Sequence, residues 1–299
     1  MSQEVSEEEW ERVLWKRKPY PDNYVPRSFL SSLSRNPNFR PYTYGPLVLA
    51  SCAISQHLAA IFIFLATFVR LKEHYLDPRV LVWISTLGFI VGYAVWELLL
   101  YGVDRKTRNE SRSKTIKSSI LVFLALMSLS PVLKTLTAAT SSDSIWALSA
   151  FLFILNVLLA DYTALALENY RREKLTSVLS INAAISSSVV LASRLPNDLS
   201  VFALVLFAVQ SFAMFPILRR RLQSTDPLLQ ATLTAGACAF SIYATWALSR
   251  TVTYLFTFSY VFVLFLAPAI LVWAQRFKNE IRGTWDPAVP RINETSLFS

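Results

Sequence analysis

Long apolar runs separated by short charged segments dominate the order of residues, and each run is close to the length a helix needs to cross a bilayer. About 20 predominantly apolar residues span about 30 Å of hydrocarbon. Six stretches meet that requirement clearly: Leu47 to Val69, Val80 to Tyr101, Ser144 to Leu167, Leu199 to Leu218, Leu228 to Leu248 and Val252 to Trp273. Two more are weaker. Ser118 to Leu133 is short and holds Pro131, while Ser177 to Ala192 is rich in serine and carries Asn182. Small and hydroxylated residues let helices approach closely and share hydrogen bonds. Both weak stretches are therefore expected inside a bundle, shielded from lipid, with Ala183, Ala184, Ser186, Ser187 and Ser188 supplying one such face. The pattern predicts an all-α polytopic membrane protein of about eight transmembrane helices in one bundle. It divides the chain into an N-terminal tail over 1–45, a transmembrane helical domain over 46–273 and a C-terminal tail over 274–299.

Orientation follows from the cations, because Lys and Arg in short loops stay on the cytosolic side. With eight spans and a cytosolic N-terminus, 23 of the 29 basic residues fall in cytosolic segments. The other face keeps Arg70, Lys72, Arg79, Lys134, Arg194 and Arg250. Losing one span would exchange the sidedness of everything after it, so the asymmetry argues for the count and for cytosolic N- and C-termini together.

Composition agrees with a bilayer as solvent: 54% of residues are hydrophobic and only 16% charged, with a mean hydropathy of +0.40. The net charge of +9 could suit nucleic acid, but the cations lie in short stretches between apolar runs, where anionic lipid headgroups are the fitting partner. No nucleic-acid partner is expected. Cys52 and Cys238 both fall inside apolar runs and form neither a disulfide framework nor a zinc site. The first forty or so residues are charged and punctuated by proline, without the apolar core of a cleavable signal. Within them, Ser6 and Glu9 fit a capping box, and Trp10, Val13 and Leu14 form an apolar stripe before Lys16, Arg17 and Lys18. This reads as a short interfacial helix on the cytosolic leaflet, or alternatively as a solvated one.

Ionisable and amide side chains at membrane depth are costly, at about 2.5 to 3.5 kcal/mol for a charge at a helix centre. Glu97, Asp161 and Asn182 fall in the cytosolic third of their helices under this topology, and Asn156 lies nearer the midplane. If these helices pack together, the four make a polar notch flanked by Arg105, Arg171, Arg172 and Arg219 to Arg221. Such a notch suits a phosphoinositide-type headgroup, with arginines on phosphate and carboxylate or amide groups on sugar hydroxyls. Equally, the same residues can be helix glue that pairs neighbouring segments. Lys134 and Arg194 follow the third and fifth spans, where snorkelling, or pairing with Asp143 or Asp198, accounts for them. Gln56 and His57 sit mid-span on the first helix, and without a second histidine at depth interhelical hydrogen bonding is the expected role of His57. No Gly-rich phosphate loop, metal-ligand spacing or nucleophile elbow is present, so no catalytic residue, metal or cofactor is expected.

Four segments in order carry a resemblance: Pro21-Asp22-Asn23-Tyr24-Val25, Ser130-Pro131-Val132-Leu133-Lys134-Thr135-Leu136-Thr137, Leu191-Ala192-Ser193-Arg194-Leu195-Pro196 and Gly283-Thr284-Trp285-Asp286. From about Trp10 to Asp286 the chain resembles the PIG-C family, whose members are subunits of the phosphatidylinositol N-acetylglucosaminyltransferase complex. The family's usual Gly-Pro-Trp-Asp reads Gly-Thr-Trp-Asp here, which weakens any argument that a proline is needed at that position. The resemblance implies membership of the endoplasmic reticulum complex that transfers N-acetylglucosamine from its UDP-sugar to phosphatidylinositol on the cytosolic face, the first step of glycosylphosphatidylinositol anchor synthesis. It further implies a non-catalytic scaffold subunit whose partners are the catalytic glycosyltransferase subunit, other membrane subunits, phosphatidylinositol and membrane lipids. A different class, a lipid transporter or scramblase-like protein, is suggested by the serine-rich fifth stretch together with Glu97 and Asp161.

The layout predicts that the acceptor motifs Asn109-Glu110-Ser111 and Asn293-Glu294-Thr295 stay unglycosylated in the native protein. A mobility shift on treatment with an N-glycosidase checks this, and sugar on either asparagine would overturn the topology.

Overall fold

The structure, a computed structural model, describes residues 34–35, 41–99, 105–137, 139–162, 175–223, 226–277 and 281–282. The predicted interfacial helix and the Arg171–Arg172 and Gly283–Asp286 positions lie outside these residues. The chain divides into two units, one of Tyr44–Ala269 and one of Met1–Thr43 with Ile270–Ser299.

The first unit is helical. Its elements are α1 (Tyr44–Lys72), α2 (Pro78–Leu99), α3 (Arg105–Thr135), α4 (Ser142–Leu159), α5 (Leu175–Ala192), α6 (Asp198–Ala208), α7 (Phe215–Gln223), α8 (Pro227–Trp246) and α9 (Arg250–Val261). A π-helical segment, Val209–Met214, joins α6 to α7, and a second, Phe262–Leu266, continues α9 into α10 (Ala267–Ala274). Among the described residues seven helices are long and apolar enough to cross a membrane, and Ser177–Ala192 is a shorter apolar helix. In the second unit, β1 (Ser34–Arg35) pairs antiparallel with β2 (Ile281–Arg282). There the Tyr42 backbone N–H donates to Gln275 Oε1 (2.8 Å), and Gln275 Nε2 donates to the Tyr42 carbonyl (3.0 Å).

Local chemistry sets the helix ends. Asp226 caps α8 by accepting from the Leu228 N–H at 2.9 Å, with Pro227 in the first turn where its missing donor costs nothing. Helix α4 stops eight residues before the apolar run ends, because Ala160 turns to extended backbone at φ −66°, ψ 141°. The carbonyls orphaned at that end find new donors, the Ser180 hydroxyl on Asn156 O (2.7 Å) and the Tyr162 hydroxyl on Val157 O (2.8 Å). Pro131 sits within α3, where it cannot donate to the Met127 carbonyl; the Ser130 hydroxyl donates to it instead at 3.0 Å.

Helix α1 is the centre of the bundle. Phe64, Phe68 and Leu71 are buried along it, against Phe153 and Ile145 of α4, Leu191 of α5 and the Val201–Val205 stretch of α6. Phe64, Phe153 and Phe212 meet pairwise at centroid distances of 5.8, 5.3 and 5.7 Å. Lipid tails are as apolar as these side chains, so close packing rather than escape from water holds such a cluster. Helix α5 lies mainly along α4, burying Ala183, Ala184, Ser187 and Ser188, and the Ser187 hydroxyl donates to the Ser149 carbonyl at 3.0 Å. Ser186 instead faces outward. The expectation that α3 is shielded fails: its helix is longer than its apolar run, and Ile116, Ile120, Leu121, Leu124 and Met127 are exposed, since α3 touches the bundle along one edge through Phe123 and Ser130.

Helix α2 meets α6 where the π-helical turn pushes Gln210 against Gly88. A Cβ at position 88 would lie 2.5 Å from the terminal amide of Gln210. With its amide oriented to satisfy both partners, Gln210 donates to Ser85 O (2.9 Å) and accepts from Phe89 N–H (3.0 Å). Gly88→Val should lower stability by about 1–3 kcal/mol in a reversible detergent-denaturation titration, whereas Gly236→Val, where an added Cβ meets nothing within 4 Å, should stay within about 0.5 kcal/mol.

Candidate functional site

The serines of α5 follow the helical period. Ser177, Ser180, Ala184, Ser187 and Leu191 are all buried on one face, as spacings of three and four residues require. That stripe faces the C-terminal end of α4, where Asn156 is 1% exposed. Asn156 Nδ2 donates to the Ser180 carbonyl and hydroxyl, both at 2.9 Å, and its Oδ1 lies 2.6 Å from His57 Nε2. As an amide oxygen can only accept, the arrangement assigns the proton to His57 Nε2. One side chain thereby ties α1, α4 and α5 together, and His57 has the interhelical role expected for it.

Arg219 is 1% exposed on α7. Its Nη1 donates to the Ala53 carbonyl of α1 at 2.9 Å, and the guanidinium stands 5.6 Å from the Tyr162 ring centroid. Its Nε is buried and has no hydrogen-bond partner among the described residues. Beside it, Arg220 Nη2 donates to the Ser177 hydroxyl at 2.9 Å and toward the Asp161 carbonyl at 3.4 Å. These groups line a cavity of about 110 Å³ whose wall includes His57, Asn156, Asp161, Ser180, Arg219 and Arg220. A desolvated guanidinium beside a second arginine and a carboxylate is suited to a small anionic or polyhydroxylated group.

Of the sequence-predicted notch, Asn156, Asp161, Arg219 and Arg220 come together. Asn182 does not: two residues beyond Ser180 it is turned about 200° around α5 and is exposed. Glu97 is not on the cavity wall, and its carboxylate accepts from Tyr93 of the same helix at 3.2 Å. Arg105 opens α3, while Arg171 and Arg172 lie outside the described residues. Sequence reasoning missed Ser177, Ser180 and Tyr162 as members. The period of the α5 serines was the available signal, and it also placed Asn182 off the stripe.

At the other end of α5 the second and third resemblance segments meet. Arg194 Nη2 donates to the carbonyls of Thr137 (3.2 Å) and Thr140, and the Thr137 and Ser193 hydroxyls share a hydrogen bond. Lys134 Nζ pairs with Asp198 Oδ1 at 3.2 Å. Pro131 lies within α3, and Pro196 is exposed in the turn between α5 and α6. Pro21, Asp22, Asn23 and Tyr24, like Gly283, Trp285 and Asp286, lie outside the described residues.

Residues 10–286 match the family model described as GPI2, phosphatidylinositol N-acetylglucosaminyltransferase. The chain belongs to this family. It is 36% identical over 288 residues to the phosphatidylinositol N-acetylglucosaminyltransferase GPI2 subunit of Schizosaccharomyces pombe, covering 95% of this chain and 87% of that one. To the PIG-C subunit of the Homo sapiens phosphatidylinositol N-acetylglucosaminyltransferase it is 34% identical over 284 residues, covering 95% and 94%. The GPI2 subunit of Saccharomyces cerevisiae is 25% identical over 300 residues, covering 95% and 98%. No solved structure matches the chain. Membership of the GPI2 family therefore rests on near full-length sequence similarity.

The seam through Asn156 carries a measurable load. Asn156→Ala strands His57 Nε2–H, and should cost about 1–2 kcal/mol in detergent unfolding. Asn182→Ala, at an exposed position of the same bundle, should stay within about 0.5 kcal/mol.

Proposed function

We propose that the chain is a non-catalytic membrane subunit of the complex that transfers N-acetylglucosamine from UDP-N-acetylglucosamine to phosphatidylinositol. In this role it works in the endoplasmic reticulum membrane, holding the catalytic glycosyltransferase subunit and other membrane subunits and presenting the lipid headgroup to them. The relatives carry the names of subunits of that transferase, and among the described residues the chain is a helical bundle without a nucleotide-binding βα fold.

The observation that carries lipid presentation is the buried Arg219 guanidinium, which lines a cavity together with Asp161 and Arg220. Arg219 and Arg220 take the phosphate of the lipid, and Asp161 accepts from hydroxyls of the inositol ring. Eight crossings with both tails in the cytosol, the tails being 1–45 and 274–299 around a body of 46–273, accompany this reading. An even count is supported by the pairing of Ser34–Arg35 with Ile281–Arg282. Segments that precede the first span and follow the last can bond only on one side of the membrane, so α5 supplies the crossing that completes seven long helices to eight.

Asp161→Ala and Arg219→Gln should each lower N-acetylglucosaminyl-phosphatidylinositol formation by the purified complex about tenfold or more, while partner subunits co-purify in unchanged ratio. Activity and assembly falling in proportion would overturn lipid presentation in favour of helix cohesion. The isolated chain should show no transferase activity and no lipid flux in liposomes, flux being the result that would favour a transporter.

A further inference from the structure

A second cavity, of about 770 Å³, runs along the opposite half of α1, walled by α2, the α6–α7 segment and α8. It extends from Gln56 to Arg70, which is about 21 Å of helix at 1.5 Å per residue. Ile63, Ala66, Leu81, Ile84 and Phe240 make most of its surface between those ends apolar. The cavity is longer than the roughly 15 Å depth of one leaflet's hydrocarbon. Its length and apolar lining suit an extended acyl chain.

The end of the slot has a charge to match. Arg70 lies in the last turn of α1, at the depth where a long cation reaches the headgroup layer. Its Nη2 donates to the Ala244 carbonyl at 2.8 Å, which fixes the guanidinium at the slot mouth, while its Nε is buried and has no partner among the described residues. Along α1, Arg70 is about 26 Å from Ala53, the residue that holds Arg219. The two sites are therefore separate, and this one rests on nothing assumed about the other.

We propose that this slot is the seat of a bound glycerophospholipid, with one acyl chain between α2 and α8 and its phosphate on Arg70. The lipid fills a gap that helix packing leaves open and fastens α2 to α8 through its tail.

The test uses the whole complex in dioleoylphosphatidylcholine vesicles containing phosphatidic acid with a diazirine midway along one acyl chain. After irradiation, labelled peptides are mapped. The label should concentrate on the α2 and α8 segments around Leu81 and Phe240. Gly236→Leu grows a side chain into the slot from a position where an added Cβ meets nothing within 4 Å, and should cut that label about tenfold or more. Arg70→Gln removes the charge without filling the slot and should lower labelling by phosphatidic acid about tenfold. Gly45→Leu, also open but outside the slot, should leave it unchanged. Misfolding of one variant leaves the other as a test, since the two act through different ends of the cavity. Label spread evenly over outward-facing helices, or label insensitive to both Gly236→Leu and Arg70→Gln, would overturn the proposal. So would a disulfide from Gly236→Cys to a helix of a partner subunit.

Discussion

Hydrocarbon offers no water to a buried polar group, so each such group in this bundle must be answered by protein or be left at a cost of several kcal/mol. That constraint organises the molecule around α1. His57 is answered by Asn156 and Asn156 by Ser180; Gln56 is answered by Thr234 at 2.8 Å. Arg219 is answered by the Ala53 carbonyl. Apolar contacts such as Phe64 with Phe212 set how closely the helices lie, but they could slide. Directional bonds from α1 to α4, α7 and α8, carried on by Asn156 to α5, set which residues face each other.

The same requirement explains why α4 is short. Ending the helix at Leu159 exposes carbonyls that a continuing helix would have used, and Ser180 and Tyr162 take them up. The backbone then turns, bringing Asp161 to the cavity wall beside Arg219 and Arg220. Polar satisfaction and site construction are thus one event. At the far end of α5 a comparable set of bonds, Arg194 to the Thr137 and Thr140 carbonyls and Thr137 to Ser193, joins the exit of α3 to that of α5. The exposed Lys134–Asp198 pair there adds about 0.2–1 kcal/mol. The two resemblance segments of that region are therefore in contact, although 56 residues separate Thr137 from Ser193.

Hydrophobic pattern alone made the helical elements legible, because a run of 20 apolar residues has few fates other than a spanning helix. The α5 face of Ala183, Ala184, Ser187 and Ser188 was legible too, since close approach requires small residues. Depth along a helix, however, says nothing of azimuth. Glu97 and Asn182 had suitable depth but are not on the cavity wall, Asn182 because it is off the buried stripe. For α3 the short apolar run suggested shelter, yet its charged N-terminal extension is helical as well and Leu121, Leu124 and Leu129 face outward.

The order of residues by itself determined the solvent of this protein, the positions of its helices and its family, since these depend on local composition and on motifs read in line. Which helices touch, and therefore which of the polar residues at similar depth share one cavity, was decided only in three dimensions. Arg219 is the clearest case. Beside Arg220 and Arg221 it reads as one of three loop cations, but the register of α7 on α1 buries it against a backbone carbonyl while Arg220 remains half-buried. A one-residue step rotates a helix position by about 100°, and no linear pattern records which of three neighbouring arginines that rotation will carry inward.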